Sequence, residues 1–376
     1  MSGATLILLT CMLLLLWCWF GYPLLMLGIA RFFPRRLAPK PDSLPVVSVI
    51  VATRDDVDSL AARIDDLLAS SYPSDRLEVV VCVDHKVSME QRVQLHARAA
   101  GCVLVVDGDA PGGKAASLNA GVRHASGRVV VFTDVQQRFE PTAITALVET
   151  LTADPRATIA GGALMLPGDR AGSRRSPVEW YWAAERVLRE AEARVHSTIG
   201  VSGSIYAMRA DAWIPMPPGL ILDDVYVPMQ QVLRGRRVAY TINARAWDTR
   251  RTGPNAEQTR KVRTLTGNFQ LVVWLPILLV PFRNPVWLQF ISHKMLRLAT
   301  PWLALGALLS VGTIGYANLR SAPPAVLVGG ALIALVPFLV PPSRPPLRGL
   351  LRWVVSLNSA LVQASINGVR GHWDVW

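Results

Sequence analysis

The longest uncharged stretches of the chain lie near its two ends. Residues 4–30 contain no charged side chain and are rich in leucine. At about 1.5 Å of helical rise per residue, roughly 20 apolar residues cross the hydrocarbon core of a bilayer, so this stretch predicts an uncleaved transmembrane anchor. Residues 300–319 and 322–342 are also free of charge, and they predict two further spans joined by a very short turn.

Two other C-terminal stretches are apolar but interrupted. Residues 350–368 include Arg352, Asn358 and Gln363. This stretch is compatible with a last span or with a helix lying in the membrane interface, and a span is slightly favoured. Residues 269–298 contain three prolines, together with tryptophan and basic side chains that favour the headgroup region. We expect interface helices there, with a buried core helix as the alternative.

Basic residues indicate the orientation of the chain. Arg31, Arg35, Arg36 and Lys40 follow the first predicted span, and no basic residue precedes it. Because positively charged loops stay cytoplasmic, we expect the middle of the chain to face the cytoplasm from a plasma or inner membrane. The net charge of +12 is concentrated beside membrane segments, where anionic headgroups attract it. No nucleic-acid-binding pattern accompanies this charge, so a nucleic-acid partner is not expected.

Between residues 46 and 268, short β-branched runs alternate with longer helical stretches. Continuous apolar strands separated by helices imply a mostly parallel sheet covered by helices on both faces. The predicted strands are 46–51, 77–83, 103–106 and 129–132. Of the predicted helices, one ends near residue 69 and the others cover 90–100 and 115–125. The predicted regions are 1–45 (anchor and basic linker), 46–268 (cytoplasmic α/β domain), 269–298 (interface helices) and 299–376 (C-terminal transmembrane region).

Acidic residues follow each predicted strand, at the sheet edge where parallel sheets bind ligands. They are Asp55, Asp56, Asp84, Asp107, Asp109 and Asp134. One loop aspartate is commonly only solvated, but four strand ends at one edge predict a binding site. Asp107-Gly108-Asp109 lies in a loop with glycine and proline, and we interpret it as turn chemistry. The four cysteines form no Cys-x-x-Cys pair and the six histidines are scattered, so neither a disulfide framework nor a cysteine–histidine metal site is predicted.

Four sequence blocks resemble the membrane-integrated family 2 glycosyltransferases, which include cellulose, chitin and hyaluronan synthases and glycolipid glucosyltransferases. The blocks are 47–56 (VSVIVATRDD), 112–134 (GGKAASLNAGVRHASGRVVVFTD), 201–209 (VSGSIYAMR) with 222–224 (LDD), and 258–268 (QTRKVRTLTGN). The second block is the most specific, because Gly-Lys precedes a helix with Leu-Asn-x-Gly and then a strand ending in aspartate. The resemblance implies a GT-A-like α/β fold and inverting transfer from a nucleotide diphosphate sugar.

The first two blocks, together with the aspartate that follows the second predicted strand, imply a donor site. Thr53 and Arg54 would line the base and ribose pocket, with Asp84 near the base. Lys114 begins a helix, where a cation and free backbone amides favour phosphate. Asp134 matches the first carboxylate of the family's Asp-x-Asp motif, which holds the Mg²⁺ or Mn²⁺ that neutralises the leaving diphosphate.

The third block implies the acceptor side of the same site. Asp224 matches the last residue of the family's Thr-Glu-Asp motif and would be the general base. The adjacent Asp223 would raise the pKa of that base by like-charge repulsion. Helix N-capping is the alternative for this pair. The resemblance also assigns Gly203 and Ser204 to acceptor binding.

Two positions depart from the family pattern. The metal motif ends in Gln136, which offers the metal a carbonyl oxygen without charge, so weaker affinity is expected. Arg260 and Arg263 occupy the Gln-x-x-Arg-Trp position, which lacks its tryptophan. They would help bind the diphosphate, although a membrane-flanking basic cluster is the alternative. The missing tryptophan counts against processive polymerisation.

The favoured function is a membrane-bound hexosyltransferase that serves glycolipid or envelope or extracellular polysaccharide synthesis, with a lipid-linked or growing glycan as acceptor. A processive polysaccharide synthase subunit and a non-enzymatic pseudo-glycosyltransferase scaffold are the alternatives. The expected partners are the nucleotide diphosphate sugar, the acceptor, the membrane and envelope or exopolysaccharide assembly proteins. A transporter is disfavoured, because the predicted spans lack ionisable residues near their midplane.

Overall fold

The computed structural model describes residues 2–32, 43–54, 57–99, 103–170, 176–249, 254–319 and 345–373. Some residues used in the sequence predictions lie outside these ranges. They are Arg35, Arg36, Lys40, Asp55, Asp56 and Cys102, together with the predicted span 322–342.

The N-terminal element is one long apolar helix. Helix α1 (Gly3–Leu16) continues through a π-helical segment (Trp17–Gly21) into α2 (Tyr22–Phe32). The Ser2 side chain caps α1 by accepting a hydrogen bond from the backbone N–H of Thr5 at 3.2 Å. The combined helix of 30 residues is long and apolar enough to cross a membrane.

The first half of the α/β domain alternates strands with helices, as predicted. Its elements are β1 (Val47–Thr53), α3 (Val57–Leu68), β2 (Leu77–Val83), α4 (Met89–Ala99), β3 (Leu104–Asp107), α5 (Lys114–His124) and β4 (Val129–Thr133). These strands are parallel, in the order β3-β2-β1-β4. Their carboxyl ends therefore lie at one edge of the sheet, where the sequence predicted a binding site.

The second half extends the sheet to eight strands. Its elements are β5 (Gln137–Phe139), α6 (Ala143–Thr152), β6 (Ala157–Met165), α7 (Pro177–Val195), β7 (Tyr206–Arg209), α8 (Asp223–Leu233) and β8 (Arg237–Asp248). The full order is β3-β2-β1-β4-β7-β6-β8-β5. Strand β7 runs antiparallel to both β4 and β6, while β6 and β8 are parallel. The α/β fold with a mixed, mostly parallel sheet agrees with the predicted class.

Apolar side chains cover both faces of the sheet. In β1, Val49 and Val51 belong to one buried cluster, and Ile50 belongs to the cluster on the opposite face. Such strands read as continuous hydrophobic runs because neither face meets water. Cys82 is a free, fully buried thiol in the second cluster, and burial raises its pKa to about 12. Cys82 therefore packs as the small apolar group that the sequence predicted.

The C-terminal part is helical and includes a second long apolar helix. Helix α9 (Pro254–Trp274) is followed by a 3₁₀ turn (Pro276–Leu279), α10 (Trp287–Gln289), a π-helical segment (Phe290–Met295) and α11 (Leu296–Leu319). The continuous helix Trp287–Ala317 is long and apolar enough to cross a membrane, so it includes residues that the sequence had assigned to the interface. Gly3–Phe32 and Trp287–Ala317 are the two helices of this kind among the described residues.

The last helix is α12 (Pro345–Arg370). The prediction of a third C-terminal span over 350–368 is wrong, since α12 is not among the helices long and apolar enough to cross. The physical reason is its polar face, which packs on the domain. Ser356 donates to Gln258 of α9 at 2.6 Å, and Asn367 donates to Thr266 of α9 at 3.2 Å.

Candidate active site

A glycine turn before α5 lies over the end of β2. Gly112 and Gly113 have φ angles of 87° and 101°, which only glycine adopts without strain. A Cβ on Gly112 would lie 2.7 Å from Asp84 Oδ1, so this position also requires the close approach that glycine allows. The backbone N–H of Gly113 donates to both carboxylate oxygens of Asp84, at 3.2 and 3.0 Å. The turn thereby connects the loop after β2 to the start of α5.

Asp84 is the centre of the predicted base and ribose pocket. Its backbone N–H donates to the Thr53 carbonyl at 3.0 Å, and Arg54 Nε donates to its Oδ2 at 2.5 Å. Burial acts to raise the pKa of this carboxyl, but hydrogen bonds from Lys86 N–H, Arg54 and Gly113 N–H outweigh burial and lower it. Asp84 is therefore held ionised, and the structure brings the predicted Thr53, Arg54 and Asp84 together.

Lys114 joins two carboxylates that lie far apart in the sequence. Its Nζ is 3.1 Å from Asp134 Oδ1, at the end of β4, and 3.4 Å from Asp223 Oδ2, at the start of α8. Burial of Lys114 acts to lower its pKa, but Asp134, Asp223 and Asp224 outweigh burial and raise it. A permanent ammonium group therefore lies at the sheet edge, which suits a site for an anionic diphosphate.

Asp224 lies next to this cluster and is held by the loop before β7. The backbone N–H of Gly203 donates to Asp224 Oδ2 at 3.3 Å, and that of Val201 donates to the Asp224 carbonyl at 2.9 Å. Ser204 Oγ donates to Asp134 Oδ2 at 3.0 Å. The residues assigned to acceptor binding therefore contact two predicted site residues: Gly203 holds Asp224, the predicted base, and Ser204 holds Asp134, the predicted metal ligand.

The pKa of Asp224 is raised, as the sequence analysis expected for a general base. Burial is the largest cause and Asp223 is the second, while Lys114, Lys294 and Arg189 act to lower it. Burial thus exceeds the like-charge repulsion that the sequence analysis named. A carboxyl with a raised pKa accepts a proton more readily, which is the property required of a base.

The N-capping alternative for the acidic pair is not what the structure shows. Helix α8 begins at Asp223, and its N-cap residue, Leu222, makes no side-chain capping hydrogen bond. Both aspartates lie in the first turn, where the helix dipole favours negative charge. Their carboxylates nevertheless contact Lys114 and the Gly203 N–H, groups outside the helix.

The residues present are compatible with a divalent cation bound together with a diphosphate. Mg²⁺ is usually held by one or two carboxylates plus substrate phosphates. Asp134 supplies one half-exposed carboxylate, and Asp223 Oδ2 is buried with the Lys114 ion pair but no hydrogen bond among the described residues. Gln136 lies in the β4–β5 turn, where its backbone carbonyl accepts a hydrogen bond from Thr249 Oγ1 at 2.6 Å. In the described ranges, no three His, Cys, Asp or Glu side chains form a metal-holding group by themselves.

Arg260 and Arg263 both lie on α9, where Arg260 is exposed and Arg263 is half-buried. Two residues later in α9, Gly267 and Gln270, contact the loop that precedes α8. Gln270 accepts a hydrogen bond from the Ile221 N–H at 2.9 Å, and Gly267 packs closely on Leu222. At about 1.5 Å of rise per residue, Arg263 lies roughly 6 Å along the axis from Gly267. The role of these arginines at the diphosphate stays a prediction.

Sequence reasoning missed the residues on the far side of Asp224. A cavity of about 70 Å³ adjoins this carboxylate, and its lining includes Trp182, Glu185, Arg189, Ser202 and Tyr240. Glu185 and Arg189 lie four residues apart on α7, a helix with buried Leu188 and Ala191. Charged residues that share a helix face with apolar ones were the available signal.

The mixed, mostly parallel α/β sheet is GT-A-like, and a cluster of aspartates around Lys114 lies at its strand ends. The chain matches the family described as glycosyltransferase-like family 2 over residues 45–267. It belongs to this family, and it is a nucleotide-sugar-dependent glycosyltransferase with the GT-A fold. The predicted membership of glycosyltransferase family 2 is therefore confirmed, and integration into a membrane stays a prediction.

The chain is similar to solved structures. The mannosyltransferase PcManGT from Pyrobaculum calidifontis, in complex with GDP-Man and Mn²⁺, has a TM-score of 0.70 at 22% sequence identity. The match covers 97% of this chain and 99% of that protein. GalNAc-T7 with UDP, GalNAc and Mn²⁺ has a TM-score of 0.44 at 12% identity, over 76% of this chain and 59% of that one. A search of characterised protein sequences gave no match.

Proposed function

We propose that this glycosyltransferase is an inverting, membrane-bound hexosyltransferase that moves a sugar from a nucleotide diphosphate to a lipid-linked or growing glycan acceptor. The observation that supports it best is the arrangement around Lys114. The ammonium group lies within 3.4 Å of Asp134 and Asp223, and the raised-pKa carboxyl of Asp224 lies beside them. Leaving-group stabilisation and proton removal are thus available in one site.

The proposed reaction is a single displacement. Asp224 takes the proton of the acceptor hydroxyl while the hydroxyl oxygen attacks the anomeric carbon. The bond between this carbon and the diphosphate oxygen breaks, and its electron pair leaves with the nucleoside diphosphate. Lys114 stabilises the negative charge that develops on the diphosphate. One displacement inverts the configuration at the anomeric carbon.

Asp134 and, more weakly, Gln136 are the proposed ligands of Mg²⁺ or Mn²⁺. When bound, the cation acts as a Lewis acid for the departing diphosphate. Asp134 Oδ2 accepts from Ser204, so a hydroxyl orients the carboxylate. The GT-A fold shared with Mn²⁺-containing structures supports this proposal.

The membrane location is part of the proposal. The helices Gly3–Phe32 and Trp287–Ala317 carry exposed apolar side chains, among them Leu13, Phe20 and Leu308. Positively charged residues follow the first helix, which favours a cytoplasmic catalytic domain. Labelling of single cysteines placed at Ser2 and Arg194 in sealed membrane vesicles tests this orientation. Equal accessibility of both sites from one side would contradict it.

The decisive experiment is a donor screen with purified protein in detergent. We expect release of nucleoside diphosphate that depends on Mg²⁺ or Mn²⁺, and the screen begins with GDP-mannose, the donor in the similar structure. Asp224→Asn is the test variant. Asp211→Asn is the matched control, because Asp211 is an exposed aspartate paired with Arg209 at 3.1 Å. No metal-dependent release from any common donor would contradict the enzyme function.

A pseudo-glycosyltransferase scaffold is the second candidate, and Gln136 is the observation that favours it. With one metal-motif carboxylate replaced by an amide, the cation would be held by Asp134 and the diphosphate. Such a scaffold would bind the donor without cleaving it. Donor binding by calorimetry, together with absent turnover, would support the scaffold over the enzyme.

A further inference from the structure

The cavity beside Asp224 is separate from the Lys114 cluster. It has a volume of about 70 Å³ and lies between α7, β6, β8 and the loop at Ser202. Asp224 lines it, whereas Lys114 and Asp134 are outside its lining. A water needs about 10–15 Å³ of such volume, so the cavity holds on the order of five water-sized groups. It is large enough for a small polar group such as a phosphate, and it opens on the base.

Arg189 lies at this cavity, and the charges of Arg189 and Lys294 both act on Asp224. Arg189 lines the cavity, and both side chains lower the pKa of Asp224 through their charge. In the described part of the chain Lys294 has no ion pair within 4.0 Å, although the charges of Asp224 and Glu185 act on it. It lies on the π-helical segment Phe290–Met295. Lys294 is therefore available to an anionic ligand.

The acidic partner of Arg189 is shared among several donors. Arg189 Nε lies 3.2 Å from Glu185 Oε1. The same carboxylate accepts from Arg297 at 2.9 Å and contacts His293 Nε2 at 2.9 Å. The carboxylate of Glu185 is therefore shared by three side chains, and Arg189 is not its sole partner. Arg186, which also lines the cavity, is engaged separately by Asp169 at 2.7 Å.

We propose that this cavity binds a phosphate group of the acceptor, beside the hydroxyl that Asp224 deprotonates, with Arg189 and Lys294 as its ligands. The proposal rests on the proposed transferase function and specifies its acceptor class. A guanidinium group binds phosphate oxygens through paired N–H donors, and an ammonium group adds a point charge. The phosphate is bound only, and no bond to it forms or breaks during transfer.

The position of Lys294 indicates where this phosphate would lie. Lys294 belongs to the apolar helix Trp287–Ala317, one turn before its long apolar part. The neighbouring His293 Nδ1 contacts Glu192 at 2.8 Å, and Tyr22 of the first apolar helix donates to the same carboxylate. Contacts with Glu192 thus hold both apolar helices against α7 beside the cavity. A lipid phosphate and a soluble sugar or glycerol phosphate share the required chemistry, and the experiment separates them.

Inorganic phosphate is the probe for the site itself. In wild-type protein we expect it to inhibit donor hydrolysis in a way that excess nucleotide sugar does not relieve, because it binds on the acceptor side. Arg189→Gln and Lys294→Gln should each raise the half-inhibiting phosphate concentration about tenfold or more, as loss of a charge-assisted hydrogen bond predicts. Arg189→Lys should retain part of the inhibition, because it keeps the charge.

Arg194→Gln is the matched control. Arg194 lies on the same helix and pairs with Glu190 at 2.9 Å, but its side chain is 59% exposed. Its phosphate inhibition should equal that of wild type, and thermal unfolding checks that each variant folds. Inhibition relieved by the donor, or unchanged in both Arg189→Gln and Lys294→Gln, would overturn the phosphate site. Absence of hydrolysis in the wild type would instead contradict the proposed function.

The source of the phosphate is tested by competition and product. sn-Glycerol 3-phosphate is offered in solution, and phosphatidylglycerol is offered in phosphatidylcholine nanodiscs, since each carries a hydroxyl and a phosphate. Arg189-dependent relief of phosphate inhibition, with labelled sugar in the lipid fraction, assigns the acceptor to the membrane. The same result in the aqueous fraction assigns it to a soluble phosphate. Failure of both compounds to compete would overturn the acceptor role of the cavity.

Discussion

The two sides of the active site are built in different ways. The donor side consists of Asp84, Lys114 and Asp134, which follow or precede elements of a parallel sheet within about 50 residues of one another along the chain. The proposed acceptor side combines Asp224 with Arg189 from α7 and Lys294 from a helix far along the sequence. The order of the parallel strands brings the donor-side residues together, whereas packing between helices and sheet brings the acceptor-side residues together.

This difference indicates how each side responds to amino-acid substitution. Donor residues lie in short loops whose conformation depends on glycine turns and backbone hydrogen bonds, so they depend on local geometry. Acceptor residues lie on helices that pack against the domain, and their side chains alone decide what the cavity binds. We therefore expect substitutions on the donor side to affect catalysis and folding together, and those on the acceptor side to affect substrate choice.

Asp224→Asn should produce the largest effect. Removal of the general base is expected to lower the transfer rate by roughly 10²–10⁴, because the amide cannot take the acceptor proton. Nucleotide binding should persist, since Lys114 and Asp134 remain paired. Steady-state kinetics and calorimetric titration with nucleoside diphosphate measure the two quantities. Equal loss of binding and rate would mean that Asp224 is structural.

Lys114→Gln should have the next largest effect. We expect kcat/KM for the donor to fall by about 10²–10³, since the charge that stabilises the leaving diphosphate is lost. Arg123→Gln is the control on the same helix, because Arg123 is exposed and pairs with Asp109 at 2.7 Å. A comparable loss of kcat/KM in both variants would contradict a specific role for Lys114.

Gly112→Ala should destabilise the donor side by roughly 1–3 kcal/mol through its strained backbone. The new Cβ would also approach Asp84 Oδ1 at 2.7 Å, so the KM for the donor should rise. Gly113→Ala shares the positive φ but has open space at its Cβ, so it separates backbone strain from the clash. Thermal unfolding and donor kinetics test the pair, and equal KM values would exclude a role for the clash.

Gln136→Asp should act more weakly and in the opposite direction. A second carboxylate in the β4–β5 turn adds charge to the metal site, so the metal concentration for half-maximal hydrolysis should decrease several-fold. Metal titration of donor hydrolysis measures this effect. An unchanged titration would place the side chain of residue 136 away from the cation.

The pH profile should show the smallest change, and its direction follows from the charges around Asp224. The base must be ionised and its pKa is raised, so activity should fall with decreasing pH at values above the usual aspartate range. Asp223 raises this pKa, whereas Lys114, Arg189 and Lys294 lower it. Lys294→Gln should therefore move the acidic limb to higher pH. A shift to lower pH would contradict this arrangement.

Much of the donor side was predictable from the sequence. The strands before Asp84 and Asp134 are short apolar runs, and parallel order follows from the intervening helices, so their ends had to meet at one edge. The antiparallel insertion of β7 was not predicted, because Tyr206–Arg209 is too short for its pattern to show strand direction. The sequence also did not show that α12 packs on α9, because only the structure places its polar residues in contact with that helix.

The sequence by itself determined the α/β class and the two apolar ends, and it predicted the donor-side residues, because each depends on local periodicity or on a strand followed by a short loop. Only the tertiary structure decided that Lys114 joins Asp134 to Asp223, that burial is the main cause of the raised pKa of Asp224, and that Arg189 and Lys294 lie near its other side. These interactions connect residues up to about 110 positions apart, and no spacing rule along the chain reports distances across packed layers.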